Sequence, residues 1–300
     1  MRLRCRCVLC KSALRLLMWS YRLGRKRLGG TLAVVMALLL SGAIAGCQSP
    51  RADLQQLANQ HGRQMQILSA QPFPLAALLP PETFRANRLR VYLEGDGHAW
   101  ATATQPSLDP SPRKLLVPQL AVNDPTPSAY LARPCQFITA PACNAALWTN
   151  RRFSQAVVTS LSSALDHMKQ RYGNNEFELI GYSGGATLAL LLAGQRNDIT
   201  RIQTIAGNLA PNQWTALKGL SPLNGSLDPL DYIQRLALIP QRHLSGTRDE
   251  MIPTELAKGY SRQLGNGACS QLIVVSGPSH EDGWEQVWKL WRGRGVDVCP

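Results

Sequence analysis

The residue types best able to do chemistry lie far apart in the chain: Ser183 in GYSGG, Asp249 in SGTRDEMIP and His280 in SGPSHEDGW. A serine hydroxyl becomes a nucleophile when a base takes its proton. An imidazole serves as that base when an acid fixes its tautomer and stabilises the imidazolium formed during acyl transfer. The motif around Ser183 is short enough to arise by chance, so its flanks decide. FELI at 177–180 is β-prone and runs directly into GYSGG, and the proline-free run ATLALLLAG follows it with helical character. Strand, sharp turn and helix is the layout of a nucleophile elbow, where glycine neighbours let the backbone fold tightly and the hydroxyl stand clear. The competing reading is a glycine turn between two core elements.

Of the five histidines, His243 and His280 follow Ser183. His243 falls within an expected strand ahead of the best acid, which leaves His280, in a loop beyond the last expected strand, as the base. Its bland reading is a surface histidine beside Glu281 and Asp282. Asp249 is the preferred acid because it follows the strand ending at 244–245 and sits in a turn that can bring a carboxylate inward, with Glu250 as the adjacent rival. Asp228 and Asp231 precede that strand and read as caps or solvated groups. Negative charge developing on a substrate oxygen needs preorganised donors. One is expected from the Gly184 amide and another from the turn EGDG at 94–97, through Asp96 or Gly97; the alternative for EGDG is a hairpin turn. Glu94, Asp96 and His98 alternate on one short turn and converge poorly as metal ligands.

Elements that could position these residues alternate along the chain. Strands are expected at 64–70, 90–93, 129–132, 177–180, 201–206, 242–245 and 271–275. Apolar residues recur at helical spacing from Phe153 to Met168, with Asn150 or Thr149 as cap, and further helices are expected after Ser183, at 253–264 and at 283–291. Such alternation implies a mostly parallel sheet flanked by helices. Two stretches interrupt it: a proline-dense excursion at 106–141, and 208–240, which reads as a lid over a pocket or as a plain surface loop.

The first 46 residues belong to a different problem. They hold nine of the 32 Lys and Arg and no acid, so the formal charge of +13 falls to about +4 for the rest, and nucleic-acid binding loses its support. The apolar run TLAVVMALLLSGAIA, about 15 residues, is short for a membrane span and reads as the core of an export signal. Ile44-Ala45-Gly46-Cys47 resembles the lipobox of bacterial lipoproteins. That implies lipidation of Cys47, a tether over 47–63, and Gln48 favouring the outer membrane, facing the periplasm. A start at Met18 would give a more ordinary signal, leaving Cys5, Cys7 and Cys10 outside the protein. Four later cysteines in an exported chain read as disulfides, preferentially the local pairs Cys135–Cys143 and Cys269–Cys299, and no Cys/His cluster has zinc spacing.

Taken together, VYLEGDGHAW, GYSGGATLALLLA, SGTRDEMIP and SHEDGW resemble the α/β-hydrolase superfamily, and specifically its bacterial lipoprotein-type members, over about 64–291. The resemblance implies an α/β-hydrolase fold in one domain over 64–300 and an envelope-anchored serine hydrolase acting on an ester, thioester or amide of an acyl substrate. It calls for no cofactor. Ser183 would attack, His280 shuttle the proton and Asp249 orient His280. Glu94 departs from the superfamily's common H-G turn, where a histidine stands. A peptidase on the same fold, or a non-catalytic envelope lipoprotein that binds, is the alternative.

Overall fold

The computed structural model describes residues 49–296 and Cys299. The export signal, Cys47, Gln48 and Cys5, Cys7 and Cys10 lie outside the described residues. Among those described, eight strands form one sheet: β1 (Met65–Leu68), β2 (Leu75–Leu78), β3 (Arg88–Leu93), β4 (Ser128–Leu131), β5 (Glu176–Tyr182), β6 (Ile199–Ile205), β7 (Gln241–Gly246) and β8 (Ser270–Val275). Their order is β1-β2-β4-β3-β5-β6-β7-β8. Pairing is antiparallel at β1/β2 and β2/β4 and parallel from β4 through β8. This is the mostly parallel sheet that the alternating pattern implied.

Helices cover both faces, as parallel strands buried on two sides require. They are α1 (Pro50–Gln60), α2 (Leu116–Val122), α3 (Gln155–Tyr172), α4 (Gly184–Gln195), α5 (Pro211–Leu217), α6 (Ile233–Leu236), α7 (Thr254–Leu264) and α8 (Trp284–Trp291). Strand residues alternate between the layers with period 2. Leu89, Val91 and Leu93 of β3 join α3, α4, α6 and α7 in one core, whereas Tyr92 joins α1, α2 and α8 in the other. The α4 sequence carries no polar stripe because almost all of it is buried, between the sheet on one side and α3 and α6 on the other. No helix among the described residues is long and apolar enough to cross a membrane.

Several elements differ from expectation. The stretch read as a tether contains α1, which packs Leu54, Leu57 and Ala58 into the core; Ser49 caps it and Pro50 opens it. β2 was not expected. Within the proline-dense excursion lies α2, which tolerates Pro118 because its first turn has no N–H bonds to lose. Helix α3 begins at Gln155 with Ser154 at its N-cap, not at Asn150 or Thr149, which end a preceding short 3-10 helix, Ala145–Trp148. The 208–240 stretch is not a loose loop. Asp228 accepts the amides of Asn212 and Leu230. Arg235 donates to the carbonyl of Ala193, and Leu223, Leu236 and Ile239 enter the core, so the stretch is fixed against α4. Cys135 bonds Cys143 and Cys269 bonds Cys299.

Candidate active site

The site is built at the C-terminal edge of the sheet, where β5 turns into α4. Ser183 holds φ 51° and ψ −121°, a left-handed conformation that costs a non-glycine residue about 1–3 kcal/mol. Three backbone bonds hold it there: its N–H donates to Ile205 O at 3.1 Å, and its carbonyl accepts from Asn208 N at 3.0 Å and Ala186 N at 3.1 Å. Gly181 makes the bend feasible, since a side-chain carbon there would lie 2.5 Å from the Ala186 Cα.

His280 reaches Ser183 from the loop after β8. Its Nε2 lies 2.9 Å from Ser183 Oγ, and its Nδ1 lies 2.9 Å from Asp249 Oδ2. A carboxylate only accepts, so Nδ1 carries the proton and Nε2 is left to accept from the serine. The Asp249 side chain is fully buried, and its Oδ1 accepts the amides of Met251 at 3.0 Å and Ile252 at 2.8 Å. These bonds aim Oδ2 at His280. Glu250, the rival acid, is exposed and lies outside this chain of bonds. His243 is a core residue: Thr204 Oγ1 and Gln241 Oε1 flank its ring nitrogens, and burial depresses its pKa to about 3.

The base loop is anchored by groups that a motif search passes over. Tyr182, beside the serine, donates its hydroxyl to the His280 carbonyl at 2.9 Å and lays its ring against the imidazole, with centroids 5.4 Å apart. Trp284 Nε1 donates to the same carbonyl at 3.1 Å and to that of Ser279 at 2.8 Å. Both residues stand inside quoted motifs, yet nothing in their spacing signals the contact.

The EGDG turn leaves β3 beside the serine and is no hairpin, because β4 runs parallel to β3. A side-chain carbon on Gly95 would lie 3.2 Å from the Ser183 Cβ. Glu94 is buried and accepts Gly95 N through Oε1 and the Tyr130 hydroxyl through Oε2, each at 2.8 Å. Asp96 pairs with Arg133 and, at 2.6 Å, with Arg152. His98 sits apart against Arg113 at 2.7 Å, so these three side chains go to separate partners. The amides of Asp96 and Gly97 have no hydrogen-bond partner among the described residues, and Gly184 opens α4, whose N-terminus carries partial positive charge. Arg133, Arg152 and Gln136 escaped the sequence reading, since an arginine destined for burial looks there like a solvated one.

No family model matches the sequence, and no curated protein matches it. Solved structures do match its shape. An esterase of Pyrococcus furiosus, Pf2001, gives a TM-score of 0.58 at 12% identity, covering 85% of this chain and 96% of that one. Est1E from Butyrivibrio proteoclasticus gives 0.51 at 15% identity over 74% of this chain and 93% of that one. An acylaminoacyl peptidase of Pyrococcus horikoshii gives 0.53 at 10% identity over 73% of this chain but 37% of its own length. At such identities the likeness is one of architecture, and with the topology above it shows that this chain has the α/β-hydrolase fold.

Proposed function

We propose that this chain is an envelope-anchored serine hydrolase that cleaves an ester, with thioesters and amides as chemically related substrates, through an acyl-enzyme on Ser183. The observation that carries the reading is the unbroken chain of bonds from Ser183 Oγ to His280 and on to Asp249, each 2.9 Å long. Ser183 Oγ attacks the acyl carbon while its proton passes to His280 Nε2. The tetrahedral intermediate collapses by breaking the bond to the leaving oxygen, which takes the proton from Nε2. A water activated by His280 then releases the acid and restores the serine. The amides of Gly184 and of Asp96 or Gly97 receive the developing oxyanion. Lipidation at Cys47 would hold this chemistry outside the cytoplasm, at the outer membrane.

A series of p-nitrophenyl esters of increasing chain length, with Ser183→Ala as control, tests the reaction. Hydrolysis by the native chain and its loss by at least ~1000-fold in the variant is the expected result. Equal rates would remove the mechanism. A serine-reactive phosphonate should label Ser183 in the folded protein. Absence of an adduct, under conditions that label a control esterase, would favour a binding protein on this fold. Palmitate incorporation in cells, lost in Cys47→Ala, tests the anchor.

A further inference from the structure

The polar groups around the nucleophile exceed what the three-residue relay needs. Two arginines from separate segments converge on one carboxylate: Arg133, just after β4, and Arg152, in the turn ahead of α3. Their side chains are 5% and 6% exposed, that of Asp96 22%. Arg133 stands over the Phe153 ring at 5.2 Å and Arg152 over Trp214 at 6.0 Å. Arg133 also donates to Arg152 O at 2.5 Å, and Arg152 to Thr149 O at 2.6 Å. Desolvating so much charge adds little net stability to a fold, yet it fixes a geometry firmly.

What it fixes lies beside Ser183. A side-chain carbon on Gly184 would collide with Asp96 Oδ1, so this carboxylate touches the residue after the nucleophile. On the turn itself Gly95 N is taken by Glu94, Gly95 O accepts Gln136 Nε2 at 3.0 Å, and both oxygens of Asp96 are taken by the arginines. Of the three amide N–H groups on the 95–97 stretch, those of Asp96 and Gly97 have no partner among the described residues. Burial works against ionisation of Asp96, yet Arg152 and Arg133 hold its pKa down to about 2.

We infer that Asp96, clamped by Arg133 and Arg152, is a positioning residue that holds the two sides of the oxyanion pocket, the 95–97 turn and the Gly184 amide, at their working distance. The clamp also explains how a carboxylate is tolerated beside a developing anion, because its charge is already compensated by two guanidinium groups. The inference rests on the hydrolase reading above.

Asp96→Asn keeps the backbone amide and the side-chain size but cannot accept from both arginines. With p-nitrophenyl acetate as probe, kcat should fall by roughly tenfold or more, up to the ~100–1000-fold that follows outright loss of an oxyanion donor, while KM moves by less than about twofold. Inhibition by a boronic acid, which forms a tetrahedral adduct on serine, should weaken in parallel. Arg133→Lys and Arg152→Lys should each lower kcat, and Arg152→Lys placed on Asp96→Asn should add nothing further. If Asp96→Asn fails to fold, as judged by circular dichroism, the two lysine variants carry the same test. Unchanged kcat in the folded variants, or losses that simply add, would overturn the clamp. A native protein that neither hydrolyses the ester nor reacts with the phosphonate would overturn the hydrolase reading and take the clamp with it. A labelled, active native protein with an unaffected Asp96→Asn refutes the clamp alone.

Discussion

Glu94 is the side chain least suited to its surroundings. It is 2% exposed, and burial pushes its pKa up to about 7, against the opposing pull of Tyr130, the Gly95 amide and Arg133. An unfolded glutamate titrates near ~4.3, so between that value and about 7 the folded chain binds the extra proton. Stability linked to this group is therefore fully present below the lower value and declines as pH rises to the upper one. Glu94→Gln removes the titration while keeping the shape. The variant should match the native chain near pH 4.5 and exceed it at pH 8 by up to about 3 kcal/mol, read from urea unfolding at both pH values. A difference independent of pH would show that Glu94 ionises there without penalty. The same residue occupies the place where the sequence departs from the superfamily's H-G turn, and there its carboxylate accepts the Gly95 amide.

At the scale of elements, the parts legible in the sequence were those whose burial leaves a period or a breaker. β5 entering GYSGG, the amphipathic face of α3 and the strands β3, β6, β7 and β8 all carried such marks. β2 did not: LAAL is buried throughout and holds no β-branched or aromatic residue, so neither alternation nor composition announced a strand. α1 and α2 were hidden by prolines that read as breakers but stand in first turns, where they fit. The relay residues were legible because chain order and type restrict them, whereas the support under the oxyanion turn was not, since it comes from distant segments. One such segment, 133–143, is braced by Cys135–Cys143 and carries Arg133 and Gln136 onto the turn. Cys269–Cys299 instead ties the start of β8, at the sheet edge opposite the site. Chain entropy gives them about 2–3 and about 3–4 kcal/mol. The paired substitution Cys135→Ser with Cys143→Ser should therefore lower both Tm and kcat, whereas Cys269→Ser with Cys299→Ser should lower Tm alone. Equal effects on kcat would separate the first disulfide from the turn.

Across the whole molecule, a buried polar thread joins the sheet to the helical layer of α1, α2 and α8. Arg90, on β3, donates to Asp124 at 2.8 Å and to Glu178 of β5 at 3.1 Å and 3.2 Å. Asp124 also accepts the Tyr92 hydroxyl, which in turn accepts Trp288 Nε1 of α8 at 2.8 Å. Gln203 of β6 donates to Glu178 at 2.7 Å. One cation thus satisfies two carboxylates whose side chains are at most 6% exposed, across two strands and the segment after α2. Arg90→Met keeps much of the stem's packing but strands both charges, which should cost about 3–5 kcal/mol, a large part of the stability of a domain this size. Arg90 lies near the start of β3 and the site beyond its end, so kcat per folded molecule should hold while the urea midpoint falls. Adding Asp124→Asn and Glu178→Gln removes the stranded charges and should recover part of the loss. If Arg90→Met alone left the midpoint in place, the thread would be incidental. If the triple variant were no more stable than the single one, the loss would lie in packing rather than in unpaired charge.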